Sequence, residues 1–221
     1  MIDFPFLNDV LLPPLMEGLI VTLKLIFCSV PFGMVMGILI AMGRAYGNRQ
    51  VSFLCRLYVI IFKGCPLLML LFIIYFGLPS VGISFEPFTA SVIGFVICNG
   101  AYNSEYIRGG LQSVKSGQMN AALALGMTKR QAITSIVLPQ AMRRALPGIS
   151  NEIIYLIKYS SLAYMLTCIE LTGAGKIVAS RYFRFTFVFM IVGIIYLILV
   201  SIASRLLRVL ENKLEIPGLI K

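Results

Sequence analysis

Five long apolar runs limit what this chain can fold into. They lie at about residues 18–43, 57–78, 88–105, 151–169 and 185–203, and each approaches the ~20 residues that a helix needs to cross a bilayer. Hydrophobic residues make up 59% of the 221 residues, which exceeds the share of about one half that soluble domains carry. We therefore predict an all-α membrane protein in which residues 1–221 form one domain with five transmembrane helices.

The positions of the basic residues predict how the chain is oriented. Of the nineteen Lys and Arg residues, thirteen lie in three segments: between the first and second spans, between the third and fourth, and after the fifth as far as Lys221. Lys63, near the inner end of the second span, brings the number that fits this arrangement to fourteen. By the positive-inside rule these segments are cytoplasmic. The amino-terminal segment, which includes Asp3 and no basic residue, is predicted to lie outside, and the carboxyl terminus inside. Segment 172–184, with three basic residues, is the exception.

A polar-edged segment, residues 117–139, separates the third and fourth runs. Its first half is rich in Ala and Leu, which predicts a short helix that ends at Gly126, a residue suited to a left-handed closing position. Thr128 and Gln131 have the spacing of a capping box, so a second helix is predicted to begin at once and to stop at Pro139. Two basic residues lie at the elbow of this predicted helix-turn-helix: Lys129 and Arg130.

The spacing within this segment resembles a family signature. Ala121 and Ala122, then Gly126, then the Ile-x-Leu-Pro that ends at Pro139, are similar to the EAA motif of the membrane subunits of bacterial ABC importers. Asn120 stands where that family usually has Glu. The resemblance implies a type I ABC importer permease core with a cytoplasmic coupling helix-turn-helix. It implies these ATPase-docking residues: Asn120, Ala121, Ala122, Leu125, Gly126, Met127, Lys129 and Arg130.

Three further segments are similar to permeases for polar amino acids. Residues 58–79 resemble FRGTPLLVQLFLIYFGLP, with Lys63 and Cys65 in place of the usual Arg and Thr. Residues 101–110 resemble AYxAExxRGG, and residues 138–162 resemble LPQAxRxxLPxxxNxxIxLLKxTSL. The resemblance implies an importer for a polar amino acid or a closely related solute. The sequence does not identify which one.

Six residues in or beside the predicted spans are candidates for the substrate path: Pro66, Asn103, Glu105, Lys158, Ser160 and Ser161. An ionisable residue within a membrane helix is a functional candidate by default. Glu105 has the alternative of an i to i+3 pair with Arg108. Lys158 has the alternative of a structural partner, such as Glu105 or Glu152. Pro66 removes a backbone donor and should break its helix, either as a packing kink or as an opening at the pathway.

The chemistry that the sequence lacks also restricts its function. There is no GxxxxGK[ST] loop, so ATP and Mg²⁺ are expected on a partner ATPase and no cofactor in this chain. The five cysteines show no CxxC spacing and there is no His, so neither a metal site nor a catalytic residue is expected. The chain is therefore not predicted to be an enzyme.

The resemblance also implies a set of partners in the bacterial inner membrane. They are a second permease subunit (the same chain or a paralogue), two cytoplasmic ABC ATPases, an external substrate-binding protein, the amino acid substrate and membrane lipid. No nucleic acid is expected, because the positive charge lies beside the predicted spans. The alternative is an ion-coupled secondary transporter or a small membrane channel subunit. A cytoplasmic helix-turn-helix is not expected in either of those two classes of protein.

Overall fold

The structure is a computed structural model that describes residues 5–214, and every regular element in this range is helical. The α-helices are α1 (Leu12–Tyr46), α2 (Arg49–Gly64), α3 (Leu67–Phe72), α4 (Pro87–Ser113), α5 (Ser116–Ala124), α6 (Lys129–Gln131), α7 (Leu138–Tyr159), α8 (Leu171–Tyr182) and α9 (Phe185–Leu214). Wider π-type turns lie at Phe6–Leu11, Ile73–Gly77 and Ala132–Val137, and tighter 3₁₀ turns at Leu78–Val81 and Ser160–Leu166. Asp3 and Lys221 lie outside the described residues.

Two helices are long and apolar enough to span a membrane by themselves. They are Phe6–Tyr46 and Phe185–Leu214, and they contain the predicted first and last spans. Two bent pairs also meet this criterion when each pair counts as one span: Arg49–Gly64 with Leu67–Val81, and Lys129–Leu166 with Leu171–Tyr182. Length and composition therefore support two to four spans within residues 5–214.

The predicted third span falls within α4, which is 27 residues long. It is not among the helices that meet the criterion in the described range, because polar residues interrupt its apolar run. Those residues include Asn99, Asn103, Ser104 and Glu105. The number of five spans therefore stays a prediction.

One compact unit is built from three parts of the chain: residues 1–32 (described from residue 5), 65–96 and 154–203. Its core joins the amino-terminal helix to α8 and α9. The buried apolar members are Phe6, Leu11, Leu15, Leu171, Ala174, Val178, Ala179, Val188 and Val192. Gly175 allows α8 to approach α9 closely, since a Cβ there would lie 2.6 Å from a methyl carbon of Val192.

The second unit comprises residues 33–64, 97–153 and 204–221 (described to residue 214). Its core joins the second half of α1 to α4, to the turn before α7 and to α7 itself. The buried members are Ala41, Ile107, Leu111, Val137, Ala141, Ala145 and Ile149. Gly110 brings α4 against α7, because a Cβ at this position would overlap the backbone of Ala141.

The two prolines singled out in the sequence behave differently. The helix break at Pro66 is confirmed: α2 ends at Gly64, Pro66 is extended with ψ 132°, and α3 starts at Leu67. The predicted stop at Pro139 is wrong, because α7 passes through it. A proline ring in a regular helix clashes with the carbonyl four residues earlier. The wide turn Ala132–Val137 directly precedes α7 and relieves this clash, so the chain stays helical.

Candidate functional site

The hairpin formed by residues 116–137 is closed by local hydrogen bonds. α5 ends in a Schellman motif, in which Gly126 N–H donates to the Leu123 carbonyl at 3.0 Å and Met127 N–H to the Ala122 carbonyl at 3.1 Å. Gly126 is left-handed with φ 83°. The predicted left-handed end of the first helix is therefore confirmed.

The predicted capping box is confirmed as well. The Thr128 hydroxyl accepts from Gln131 N–H at 3.3 Å, and the Gln131 side chain accepts from Thr128 N–H at 2.8 Å. These bonds satisfy donors that a helix start would otherwise leave free. The turn between the two helices is thus fixed by the local sequence.

The hairpin presents an apolar tip surrounded by positive charge. Leu125 is 84% exposed and Leu123 is 43% exposed. Asn120, Ala121, Lys129 and Arg130 are also exposed, Met127 is half-buried and Ala122 is buried. Leu123 and Leu125 together form an exposed apolar surface at the tip, which a partner could cover. Seven of the eight predicted docking residues thus keep accessible surface, and Ala122 anchors the hairpin from inside.

The rear of the hairpin is attached to the second unit. Ala132, Ile133 and Val137 are buried, and Val137 belongs to the core that includes Ala41 and Ile107. The Gln140 amide donates to the Gln118 side chain at 3.2 Å and so ties α7 to α5. The hairpin is therefore in packed contact with α1 and α4 through Val137.

Glu105 lies at the centre of an ion-pair cluster in the same unit. Arg108 donates to Glu105 Oε2 at 2.8 and 3.2 Å, which is the i to i+3 pair anticipated from the sequence. Arg44, near the end of α1, donates to Glu105 Oε1 at 2.6 Å. The cluster joins α1 to α4, and the side chains of Arg44 and Glu105 are only 14% and 21% exposed.

Asn103 lies two residues before Glu105 in α4, at the contact between α1 and α4. Its amide donates to Asn99 Oδ1 at 2.6 Å, and both side chains are buried. Gly33 and Gly37 face them: a Cβ on Gly37 would lie 2.7 Å from Asn103 Cβ, and one on Gly33 would overlap Asn99. The GxxxG spacing of α1 therefore accommodates a pair of asparagines rather than an apolar ridge.

The other predicted path residues belong to the first unit. Pro66 is at the helix break described above. The hydroxyls of Ser160 and Ser161 both donate at 2.7 Å to carbonyls one turn back, those of Ile157 and Lys158. Ser160 is buried and Ser161 half-buried. Both serines are thus bonded to their own helical segment, and Ser160 also hydrogen-bonds with the Tyr196 side chain of α9.

Lys158 is exposed, with its ammonium 4.4 Å from the ring centroid of Tyr155. Tyr155 is in turn stacked on Tyr159 at 5.9 Å. The ion pairs found among residues 5–214 both involve Glu105, and Lys158 belongs to neither. The contact that the structure shows for this ammonium is therefore an aromatic face.

Glu170 was not singled out from the sequence, yet it is fully buried. Its carboxylate caps α8, accepting from the backbone N–H groups of Thr172 at 2.8 Å and Gly173 at 2.9 Å. The Tyr196 hydroxyl donates to it at 2.9 Å. A carboxylate at a helix start is favoured by the exposed N–H groups and the helix dipole. Glu is not a common N-cap residue, so the sequence carried little signal for this role.

Residues 29–216 match the model of a known protein family. That family is described as the inner membrane component of binding-protein-dependent transport systems. This chain belongs to that family. A probable amino-acid ABC transporter permease of Bacillus subtilis is 38% identical over 201 residues, covering 91% of this chain and 89% of the relative. A putative glutamine transport permease of Rickettsia bellii is also 38% identical, with 90% and 92% covered. The nopaline transport permease of Agrobacterium fabrum is 39% identical, with 90% and 87% covered.

The fold of this permease is similar to solved transporter structures. It matches the crystal structure of an amino acid ABC transporter with a TM-score of 0.87 and 34% identity, over 96% of this chain and 99% of the other. The methionine transporter MetNI matches with a TM-score of 0.74 and 23% identity, which supports the fold alone. The predicted resemblance to permeases of amino acid ABC importers is confirmed. A secondary transporter or a channel finds no support in these matches.

Proposed function

We propose that this permease is the membrane-spanning subunit of an ATP-driven importer for a polar amino acid or a closely related solute. The observation that carries the proposal is the capped hairpin with Leu125 exposed at its tip. Nothing within residues 5–214 covers that side chain, Leu123 beside it is also exposed, and an apolar surface of this kind suits a docking partner. The names of the relatives support an amino acid as the substrate class.

The proposed topology has five spans, with the amino terminus outside and the carboxyl terminus in the cytoplasm. α4 would form the third span in spite of its polar residues. Polar groups within membrane helices are tolerated when they face protein, and Asn99 and Asn103 are buried at 2% and 1% exposure. The hairpin then lies on the cytoplasmic side together with Lys129 and Arg130, where an ATPase reaches it.

The proposed assembly has two permease subunits, two ATPases and an external binding protein. ATP and Mg²⁺ are held by the ATPases, since this sequence has no phosphate-binding loop. Closure of the ATPases would move both hairpins. Because the hairpin is packed on α1 and α4 through buried side chains, the movement would be passed to the membrane helices as a rigid-body switch.

The substrate path is proposed to include Pro66, Asn103, Glu105, Lys158, Ser160 and Ser161. Among these, Lys158 is the exposed cation, suited to the carboxylate of an amino acid. The break at Pro66 leaves the Phe62 carbonyl without a proline N–H partner, and a polar lining would suit this group. Glu105 is proposed to act indirectly, since both of its oxygens are already bound by arginines.

The test is copurification of the tagged permease with its ATPase, together with ATP-dependent amino acid uptake by reconstituted vesicles. Gly126→Pro removes the left-handed turn, because proline is restricted to φ near −65°, and should leave the chain inserted but without bound ATPase or uptake. Gly126→Asn is the matched control, since Asn tolerates the left-handed region, and should retain most of both activities. Undiminished ATPase binding and uptake in Gly126→Pro would contradict the docking assignment.

A further inference from the structure

A cationic cavity of about 530 Å³ lies in the second unit, between the end of α1, the middle of α2 and the end of α4. Three arginines contribute to its lining, Arg44, Arg56 and Arg108, together with Tyr46 and Gln112. It contains no part of the docking hairpin. The proposed functions of the hairpin and of the substrate path leave this cavity unused.

The charges around the cavity are not balanced. Glu105 is the carboxylate that pairs with Arg44 and Arg108, so three guanidinium groups face one negative charge. Arg56 is exposed, and it makes no hydrogen bond or ion pair with any other described residue. An anion with several acceptor oxygens would give the Arg56 guanidinium a partner and would offset the excess positive charge of the lining.

The surface beside the cavity favours an anion with an apolar body. Arg49, Phe53, Arg56 and Ile60 follow the i, i+4, i+7, i+11 spacing of one helical stripe along α2. Phe53 is 64% exposed and Ile60 is 70% exposed. A basic site that continues into exposed apolar side chains matches a phospholipid, whose headgroup is charged and whose chains are not. A free phosphate ion would gain nothing from the apolar part of the stripe.

We propose that this cavity binds the phosphate headgroup of an anionic phospholipid from the cytoplasmic leaflet. Arg56 holds the phosphate together with the guanidinium groups of Arg44 and Arg108 that line the cavity, and the acyl chains run along Phe53 and Ile60. The arginine cluster at Glu105 connects the site to the contact between α1 and α4. The inference uses the proposed topology only to place this part of α2 at the inner surface of the bilayer.

The experiment measures which lipid the purified complex retains. The complex is incorporated into bilayer discs of equal phosphatidylglycerol and phosphatidylcholine and washed in detergent, and the bound lipid is quantified by mass spectrometry. Wild type should be enriched in phosphatidylglycerol. Arg56→Gln should reduce that enrichment about fivefold, since one basic residue near the surface contributes ~1 kcal/mol to anionic lipid binding. Arg143→Gln, which removes an exposed charge outside the cavity lining, should leave it unchanged.

A second variant and a competitor complete the test. Gln112→Glu places a negative charge in the cavity with little change of shape, and should also reduce the enrichment. The elution volume of each complex in size-exclusion chromatography monitors folding.

Three results would overturn the proposal. Two of them are equal retention of the two lipids by wild type and equal losses in Arg56→Gln and Arg143→Gln. The third is displacement of the lipid by millimolar inorganic phosphate, which would identify a site for soluble anions. Amino acid uptake is measured separately, so failure of the lipid site leaves the transport proposal standing.

Discussion

At the scale of single residues, Glu105 takes part in both ion pairs found among residues 5–214. Its two oxygens are divided between Arg44 and Arg108, and the three side chains are 14–32% exposed. Ion pairs at full exposure contribute little to stability, whereas removing one partner of a shielded pair leaves an unpaired charge. Glu105 therefore holds α1 against α4 whether or not substrate passes near it.

Glu105→Gln should lower the free energy of unfolding by about 1–3 kcal/mol, because the two arginines lose a charged acceptor. Thermal unfolding in detergent measures this change. Glu17→Gln is the control: Glu17 is exposed on α1, and its loss should change stability by less than about 0.5 kcal/mol. If Glu105→Gln and Glu17→Gln unfold at the same temperature, the ion pairs of Glu105 do not contribute to holding α1 against α4.

The Glu105 cluster also shows what could be predicted of the site from the sequence. Arg108 is three residues away on the same helix, so helical spacing alone indicates the pair. Arg44 is 61 residues distant in the chain, and no local pattern connects it to Glu105. The same limit applies to Asn103, because its contact with Gly37 depends on how α1 and α4 pack.

At the scale of helices and turns, local rules predicted the hairpin but not every helix end. Gly126 and the pair Thr128 and Gln131 act within a few residues, so their roles could be read from spacing. A proline usually ends a helix, but Pro139 lies within α7 because the wide turn Ala132–Val137 precedes it. No clear sequence pattern predicts such a wide turn. The N-cap role of Glu170 could not be predicted, because the usual N-cap residues are Ser, Thr, Asp and Asn.

Glu170→Gln should weaken the start of α8. Both carboxylate oxygens accept from N–H or O–H donors, whereas an amide has one oxygen and would turn its NH₂ toward a donor. The expected loss is about 1–2 kcal/mol, the scale of a missing helix cap. Hydrogen exchange at Thr172 and Gly173 should accelerate in this variant and stay unchanged in Glu17→Gln. Unchanged exchange at these two amides would contradict the capping role.

At the scale of the whole molecule, each compact unit is assembled from three separated parts of the chain. α1 contributes its first half to one unit and its second half to the other. Apolar runs predict that such helices exist, but which helix packs on which depends on side-chain fit at positions such as Gly110 and Gly175. Class and family could therefore be inferred from the sequence, whereas the division into two cores could not.

The orientation in the membrane is a property of the whole chain and rests on its charge distribution. Most basic residues border three segments that include the hairpin, and such segments stay in the cytoplasm. The turn between α3 and α4 should then be outside. Ser84 in this turn and Ser116 at the start of α5 are both exposed, so each can report one side of the membrane without disturbing a core.

In a background with the five native cysteines replaced by Ser, Ser84→Cys and Ser116→Cys should react differently with a membrane-impermeant maleimide. Ser84→Cys should be labelled in intact spheroplasts, because the proposed topology places its loop outside. Ser116→Cys should be labelled only after the membrane is opened, because the proposed topology places the charged hairpin inside. Uptake by each variant confirms that the labelled protein is assembled. The reverse pattern would place the hairpin beyond the reach of any cytoplasmic ATPase and would remove the physical basis for coupling through it.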